Sequence, residues 1–411
     1  MLMSFVSVKE RIHTLDIVRG FALFGILIAN MIAFKMPVFS EMGSLIDGET
    51  LPEGGLNSTL TLLTNFFVDG KFYPMFSMLF GLGFYIFYSR LLDKNLPATR
   101  MFMRRLVFLL LLGLAHLIFI WSGDILHTYA LTGFLLPLFI KRTPKVIKIW
   151  AISLLLAGTF FFTAVLLISG WGLNLSLNQG LETRESIQAA EMLAASVMTN
   201  GSFGEILSYR FWNEVLFILF QVFLIIPTIL PLFLIGLYFG KTGMFHDIEG
   251  NLHRWKKVLW TGLLVGAPLV GLSVAVRYNL LDMPAYMSMP IAEGFNTLGG
   301  PFMMLFYVAG VVFITRKKNV ELLLMPFSSV GRMALTNYLM QSIIAVLIFN
   351  GYGLGLFGEV SKAQGVLIAI GIYTVQVFLS HQMLKRYKQG PMEFIWRKWT
   401  YGNRDSGSKA A

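Results

Sequence analysis

Apolar residues run along this chain in blocks of about 20, long enough to cross a bilayer core as helices, and short polar and basic clusters separate them. The pattern predicts spans near 15–34, 71–90, 104–121, 125–140, 146–169, 213–240, 257–276, 295–315, 330–350 and 363–384, the fourth of them short. The expected fold is therefore all-α, a polytopic membrane helix bundle of about ten transmembrane helices. The longest stretch between blocks is 170–212, and within it 184–199 sets Ile187, Met192, Ala195 and Val197 among polar residues. An amphipathic helix is expected there, lying on one face as a cap or lid. The chain thus divides into a membrane half at 1–169, the lid segment at 170–212, a second membrane half at 213–384 and a tail at 385–411. In the tail, Phe394, Trp396, Trp399 and Tyr401 stand among basic residues, which predicts a helix at headgroup level.

Charge orients the bundle. With the N-terminus inside, 27 of the 33 Lys and Arg fall on the cytoplasmic side, and only Lys35, Lys71, Arg184, Arg210, Arg277 and Lys362 fall outside. The bias fits an even number of crossings with both termini cytoplasmic. A cleaved signal peptide is a poor alternative for residues 1–34, because Asp16 and Arg19 interrupt the apolar onset and no small-x-small site follows. Composition agrees with this picture: 411 residues, 56% hydrophobic, 14% aromatic, 13% charged, with mean hydropathy +0.68. A soluble chain of that length needs a larger charged surface. The net charge of +11 belongs to topology rather than to a nucleic-acid partner, since the basic residues flank apolar runs. The absence of Cys excludes disulfides and thiol chemistry, and no metal-ligand pattern is present. The expected partners are the lipid bilayer and a lipid or small amphiphile; no pattern fixes an oligomeric state.

Polar groups inside spans cost about 2.5–3.5 kcal/mol each at a helix centre, so the few that persist are candidates for chemistry. Asp16 and Arg19 can pair at the opening of the first span, either as an orienting ion pair or toward a ligand, with Asn30 three turns further along. His116 lies within the third span, and Asp124 and His127 sit at the hairpin that follows. The pair suits a carboxylate that orients an imidazole base, or a helix cap at Asp124. Asp69 is expected at a similar depth. Asn337 and Gln341 share a helix face, with Thr336 and Ser342 beside them. They serve interhelical hydrogen bonding or line a substrate cavity. Arg100, Arg104 and Arg105 cluster just inside the third span, as topology determinants or as a phosphate site. Gly236 and Gly240 have the GxxxG spacing of close helix packing.

The chain resembles the YeiB-type bacterial membrane proteins, whose C-terminal half is a domain of unknown function. The likeness covers nearly the whole chain. It rests on LDIVRGFALFGILIAN at 15–30, FSMLFGLGF at 76–84, RRLVFLLLLGLAH at 104–116, WSGDIL at 121–126, FLIGLYFGKTG at 233–243, VGRMALTNYLMQS at 330–342 and GPMEFIWR at 390–397. It implies a multi-pass protein of the bacterial cytoplasmic membrane. More distantly, the LDxxRG opening is similar to that of transmembrane acyltransferases of the heparan-glucosaminide and polysaccharide types. Those enzymes pass an acyl group from cytoplasmic acyl-CoA to an acceptor across the membrane. The O-acyltransferase pattern has a functional His eleven positions after the Arg, where this chain has Asn30; the glucosaminide type has a His eleven further on, where this chain has Glu41.

The acyltransferase resemblance then implies a base from elsewhere, His127 or His116, or else a scaffold whose chemistry is lost or changed. It would place CoA phosphates on Arg100, Arg104 and Arg105, and the pantetheine arm near Asn337, Gln341 and Ser342. His127, oriented by Asp124, would deprotonate an acceptor, with Asn30 on the oxyanion and Asp69 joining the cluster. The rival expectations are a transporter or flippase for a small amphiphile, and a non-catalytic lipid-binding protein.

Overall fold

The computed structural model describes residues 13–37, 45, 48–52 and 55–402. All regular structure among them is helical. The first half contains α1 (His13–Lys35), α2 (Gly55–Phe67), α3 (Phe72–Asp93), α4 (Ala98–Phe119), α5 (Leu126–Gly133) with a 3-10 turn at Leu136–Phe139, and α6 (Pro144–Asn178). Next come α7 (Arg184–Asn200) and α8 (Phe203–Arg210), then a π-turn at Phe211–Val215 leading into α9 (Leu216–Lys241). The rest is α10 (Leu252–Arg277), α11 (Ala285–Thr315), α12 (Lys318–Arg332), α13 (Ala334–Phe349), α14 (Lys362–Arg386) and α15 (Pro391–Tyr401).

Eight helical segments are long and apolar enough to cross a membrane, or nine if the α12–α13 pair is one broken span. Two expected spans account for the difference. The block at 125–140 breaks at Gly133 and Pro137, so only α5 and its 3-10 turn form. Together they rise roughly 20 Å. Even so, they carry the chain from one end of the bundle, where Trp121 packs on Phe34, to the other, where Lys241 donates to the Arg142 carbonyl. The block at 330–350 is the second case: α12 and α13 meet at 77° around Met333.

The break is held open by the tail. Glu393 accepts the first free N–H groups of α13, from Leu335 (2.8 Å) and Thr336 (3.1 Å), and the Thr336 hydroxyl (2.6 Å). Helix N-termini leave such donors unsatisfied and favour a negative charge. Two of the sequence motifs, around 330–342 and 390–397, therefore meet in one contact. The tail helix α15 also docks on α4: the Trp396 and Trp399 indole N–H groups donate to the Arg105 and Arg104 carbonyls, both at 2.9 Å. It packs on protein by that edge, while Phe394 and Ile395 remain exposed.

Backbones touch where α3 crosses α9. A Cβ on Gly236 would lie 1.9 Å from the Met78 carbonyl oxygen, and one on Gly81 would lie 1.9 Å from that of Phe233. The GxxxG spacing thus marks a close crossing, as expected. The amphipathic helix expected over 184–199 is α7, opened by a reciprocal Thr183–Ser186 capping box. The described chain begins and finishes at one end of the bundle, with α12 against α1 and α15 against α4 and α13. That end carries Arg100, Arg104 and Lys256 and is called the basic end below.

Candidate functional site

The α4–α5 hairpin gathers the ionisable groups. Residues Trp121 to Asp124 form its turn, and α5 runs back so close to α4 that a Cβ on Gly113 would lie 2.3 Å from the His127 amide nitrogen. Only glycine allows this approach, which brings His116 and His127 to opposite sides of one carboxylate. His116 Nδ1 lies 2.9 Å from Asp124 Oδ1, and His127 Nδ1 lies 2.8 Å from Asp124 Oδ2. The His127 backbone N–H also donates to Oδ2 at 3.0 Å, so Asp124 orients the imidazole and caps α5 at once. All three side chains are closed to solvent.

Tautomers follow from the geometry. An ionised carboxylate only accepts, so each imidazole directs an Nδ1 hydrogen at Asp124, and a neutral ring then carries its lone pair at Nε2. The Nε2 of His127 is engaged by the Thr128 hydroxyl at 3.2 Å. The Nε2 of His116 is buried and has no hydrogen-bond partner among the described residues. Buried polar atoms rarely stay unpaired, and an exception points to a functional demand. The Tyr338 ring lies beside it, 5.5 Å between centroids, and the Tyr338 hydroxyl accepts from Ile125 N–H.

A second layer fixes the hairpin. Arg210, buried at the end of α8, donates to the Ile120 carbonyl (2.7 Å) and the Leu117 carbonyl (3.1 Å). These carbonyls end α4 and have no partner within it. Glu214 approaches Arg210 to 3.8 Å, both side chains being buried. Both residues flank or lie in the π-turn, a distortion often found at functional sites. Sequence reading left Arg210 as one of six misplaced cations and passed over Glu214; their i, i+4 spacing was the available signal.

The other candidates separate. Asn30 is half-buried on α1, one turn before the Phe34 that packs on Trp121, and no hydrogen bond joins it to the hairpin. Asp69 belongs to a different group, under the charges of Lys362, Lys71 and Arg277. Glu41 lies outside the described residues. Asn337 donates to the Val330 carbonyl (3.2 Å) and Ser380 (3.0 Å), and Gln341 donates to Gln376 (3.0 Å) and weakly to the Leu23 carbonyl. Ser342 leans on the Tyr338 carbonyl at 3.5 Å. These groups tie α13 to α14, and the partners Gln376 and Ser380 went unnoticed in the sequence. Asp16 pairs with Arg19 at 3.0 Å.

The arginine cluster divides as well. Arg105 is stacked over Trp396 (3.7 Å) and Phe87 (5.1 Å), which engages its guanidinium face in cation–π contact. Arg100 and Arg104 instead line a cleft of 340 Å³ with Pro97, Met101 and the chain end at Thr400–Gly402. Arg104 reaches across it to the Trp399 carbonyl at 2.7 Å, and the first turn of α4 has no side-chain cap. No three His, Asp or Glu side chains among the described residues are arranged to hold a metal ion.

The chain is 35% identical over 408 residues to the uncharacterized protein YxaH of Bacillus subtilis, covering 96% of this chain and 95% of the relative. It is 27% identical over 419 residues to the uncharacterized protein YeiB of Escherichia coli, covering 95% and 96%. An uncharacterized 39.9 kDa protein from the amylase 3′ region of Bacillus acidopullulyticus is 27% identical over 410 residues, covering 97% and 96%. Residues 239–403, from the end of α9 through α15, match the family described as "Protein of unknown function (DUF418)".

Proposed function

This chain belongs to the YeiB-type family of membrane proteins, and we propose, on the geometry of its α4–α5 hairpin, that it transfers an acyl group from acyl-CoA to an acceptor across the bacterial cytoplasmic membrane. One observation carries the proposal: the buried Nε2 of His116, without a hydrogen-bond partner among the described residues, on an imidazole whose Nδ1 is held by Asp124. An imidazole held at one nitrogen, with the lone pair of the other uncommitted, can serve as a general base.

In this reaction the basic end faces the cytoplasm, as the Lys and Arg bias favours. The phosphates of CoA bind Arg100 and Arg104 beside the uncapped first turn of α4, where backbone N–H groups add to the guanidinium charges. Arg104 and His116 share α4, twelve residues and therefore about 18 Å apart along its axis. A single rigid helix thus separates the phosphate site from the base by a span suited to an extended pantetheine arm. His116 takes the proton from an acceptor hydroxyl or amine as that atom attacks the thioester carbonyl. The tetrahedral intermediate then expels the CoA thiolate, which receives the proton from the imidazolium, leaving acylated acceptor and free CoA. Asn30 is the proposed donor to the developing oxyanion. Burial of His116, 1% exposed, keeps water from competing for the thioester.

The test is purified protein in proteoliposomes with radiolabelled acyl-CoA and a membrane extract as the acceptor pool. Label is expected in a covalent adduct that survives extraction. Intact solute crossing the membrane with no adduct formed would replace this proposal with transport. Transport draws support from the break between α12 and α13, because broken helices line substrate sites in transporters. Here, however, Glu393 and the Asn337–Val330 hydrogen bond already satisfy groups at the break, which favours transfer.

A further inference from the structure

The two faces of α10 meet different surroundings. On one, Trp255 is buried and donates its indole N–H to the Met244 carbonyl at 3.1 Å. A Cβ on Gly262 would lie 2.7 Å from the Phe302 carbonyl oxygen, and one on Gly266 would lie 2.7 Å from the Met303 amide nitrogen. That face is therefore pressed onto α11 and cannot turn. The opposite face borders an open groove of about 670 Å³. His253, Lys256 and Lys257 head the groove, Trp260 follows one turn on, and Leu264 and Val265 form its far wall. All six are exposed. They recur at three- and four-residue steps, as residues on one helix face do, and extend over roughly 18 Å.

The cations at the head of the groove are uncommitted. No hydrogen bond or ion pair engages Lys256, Lys257 or His253 among the described residues. The carboxylates of the preceding loop are taken: Glu249 pairs with Arg316 at 2.9 Å, and Asp247 accepts from the Gly250 N–H at 2.9 Å. α10 itself contains no Asp or Glu. Water can satisfy such cations at a bare surface, but this groove continues from them into the apolar span. A phosphate diester carrying a hydrocarbon tail matches that succession. Ammonium groups make charge-assisted hydrogen bonds to phosphate oxygens, an indole favours the headgroup boundary, and an acyl chain can lie over Leu264 and Val265. A zwitterionic headgroup brings a cation of its own to the two lysines, so a headgroup of net negative charge fits better. A second copy of this chain is a poor occupant, because two α10 faces parallel in one membrane would oppose their lysines.

We propose that the α10 groove binds one anionic phospholipid, in the leaflet that borders the basic end. The site does not rest on acyl transfer, so its failure and that of the transfer chemistry are separable.

Native mass spectrometry of the full-length protein in a mild detergent tests this, with dioleoyl phosphatidylglycerol or dioleoyl phosphatidylcholine titrated in. Wild type is expected to bind one phosphatidylglycerol several-fold more tightly than phosphatidylcholine. Replacing Lys256 and Lys257 together by Gln should weaken phosphatidylglycerol roughly 30-fold, about 5-fold for each lysine, and leave phosphatidylcholine unchanged. Trp260→Ala should weaken both lipids. Lys145→Gln with Lys148→Gln removes the same charge from exposed positions at the start of α6 and should leave the preference intact. If Trp260→Ala fails to fold, the two lysine pairs, all at exposed positions, still read the site. Millimolar inorganic phosphate should not displace the lipid; displacement would assign the cations to a soluble anion. That result, equal affinity for the two lipids, equal losses in the two lysine pairs, or a dimer that Trp260→Ala disperses would each overturn the proposal.

Discussion

Replacing Asp124 by asparagine is expected to lower acyl transfer by about 10²- to 10⁴-fold, the full contribution of a positioned base, while the protein still folds. The carboxylate accepts from both imidazoles and from the His127 amide. An asparagine has one accepting oxygen and one donating nitrogen. One of the two rings must then move its hydrogen to Nε2 so that Nδ1 can accept. If that ring is His116, its lone pair no longer faces the reaction. Initial rates with labelled acyl-CoA, alongside thermal unfolding to confirm folding, make the comparison. A variant within a few-fold of wild type would mean that Asp124 serves only as the cap of α5.

Arg210→Met should cost about 3–5 kcal/mol of stability, because it leaves Glu214 as an uncompensated buried charge and strips the carbonyls of Leu117 and Ile120 of their donor. The double variant Arg210→Met, Glu214→Leu should recover much of that loss by removing the stranded charge, as replacing a buried pair with apolar groups is often close to neutral. Thermal unfolding of the single and double variants in one detergent provides the measurement. Equal melting of the single variant and wild type would show that the π-turn pair does not brace the hairpin.

The membrane character of this fold was legible because hydropathy is additive along the chain and needs no partner. Its exceptions lie where local pattern is overruled. The run at 125–140 is apolar enough, but Gly133 and Pro137 end the helix, and a window average counts neither as a break. The bend at Met333 depends on Glu393, far along the chain, which no local pattern joins to α13. Asp124 and His127 could be paired from sequence because they are three residues apart. His116 joins them only through the return of the hairpin at Gly113. Arg104 and Arg105 look equivalent in sequence, yet adjacent residues point about 100° apart around a helix. The docking of α15 decides that one faces the cleft and the other the Trp396 ring. Asn337 and Gln341 were placed on one face correctly, and what they bond was settled by α14.

The base itself is tested most directly by comparing His116→Ala and His127→Ala with wild type in the proteoliposome transfer reaction. His127 Nε2 is occupied by Thr128, and His116 Nε2 has no partner among the described residues. Loss of His116 should therefore lower the transfer rate by about 10²- to 10⁴-fold, and loss of His127 should leave a larger residual rate. Transfer at the wild-type rate by His116→Ala would contradict the assignment of this hairpin as the reactive centre.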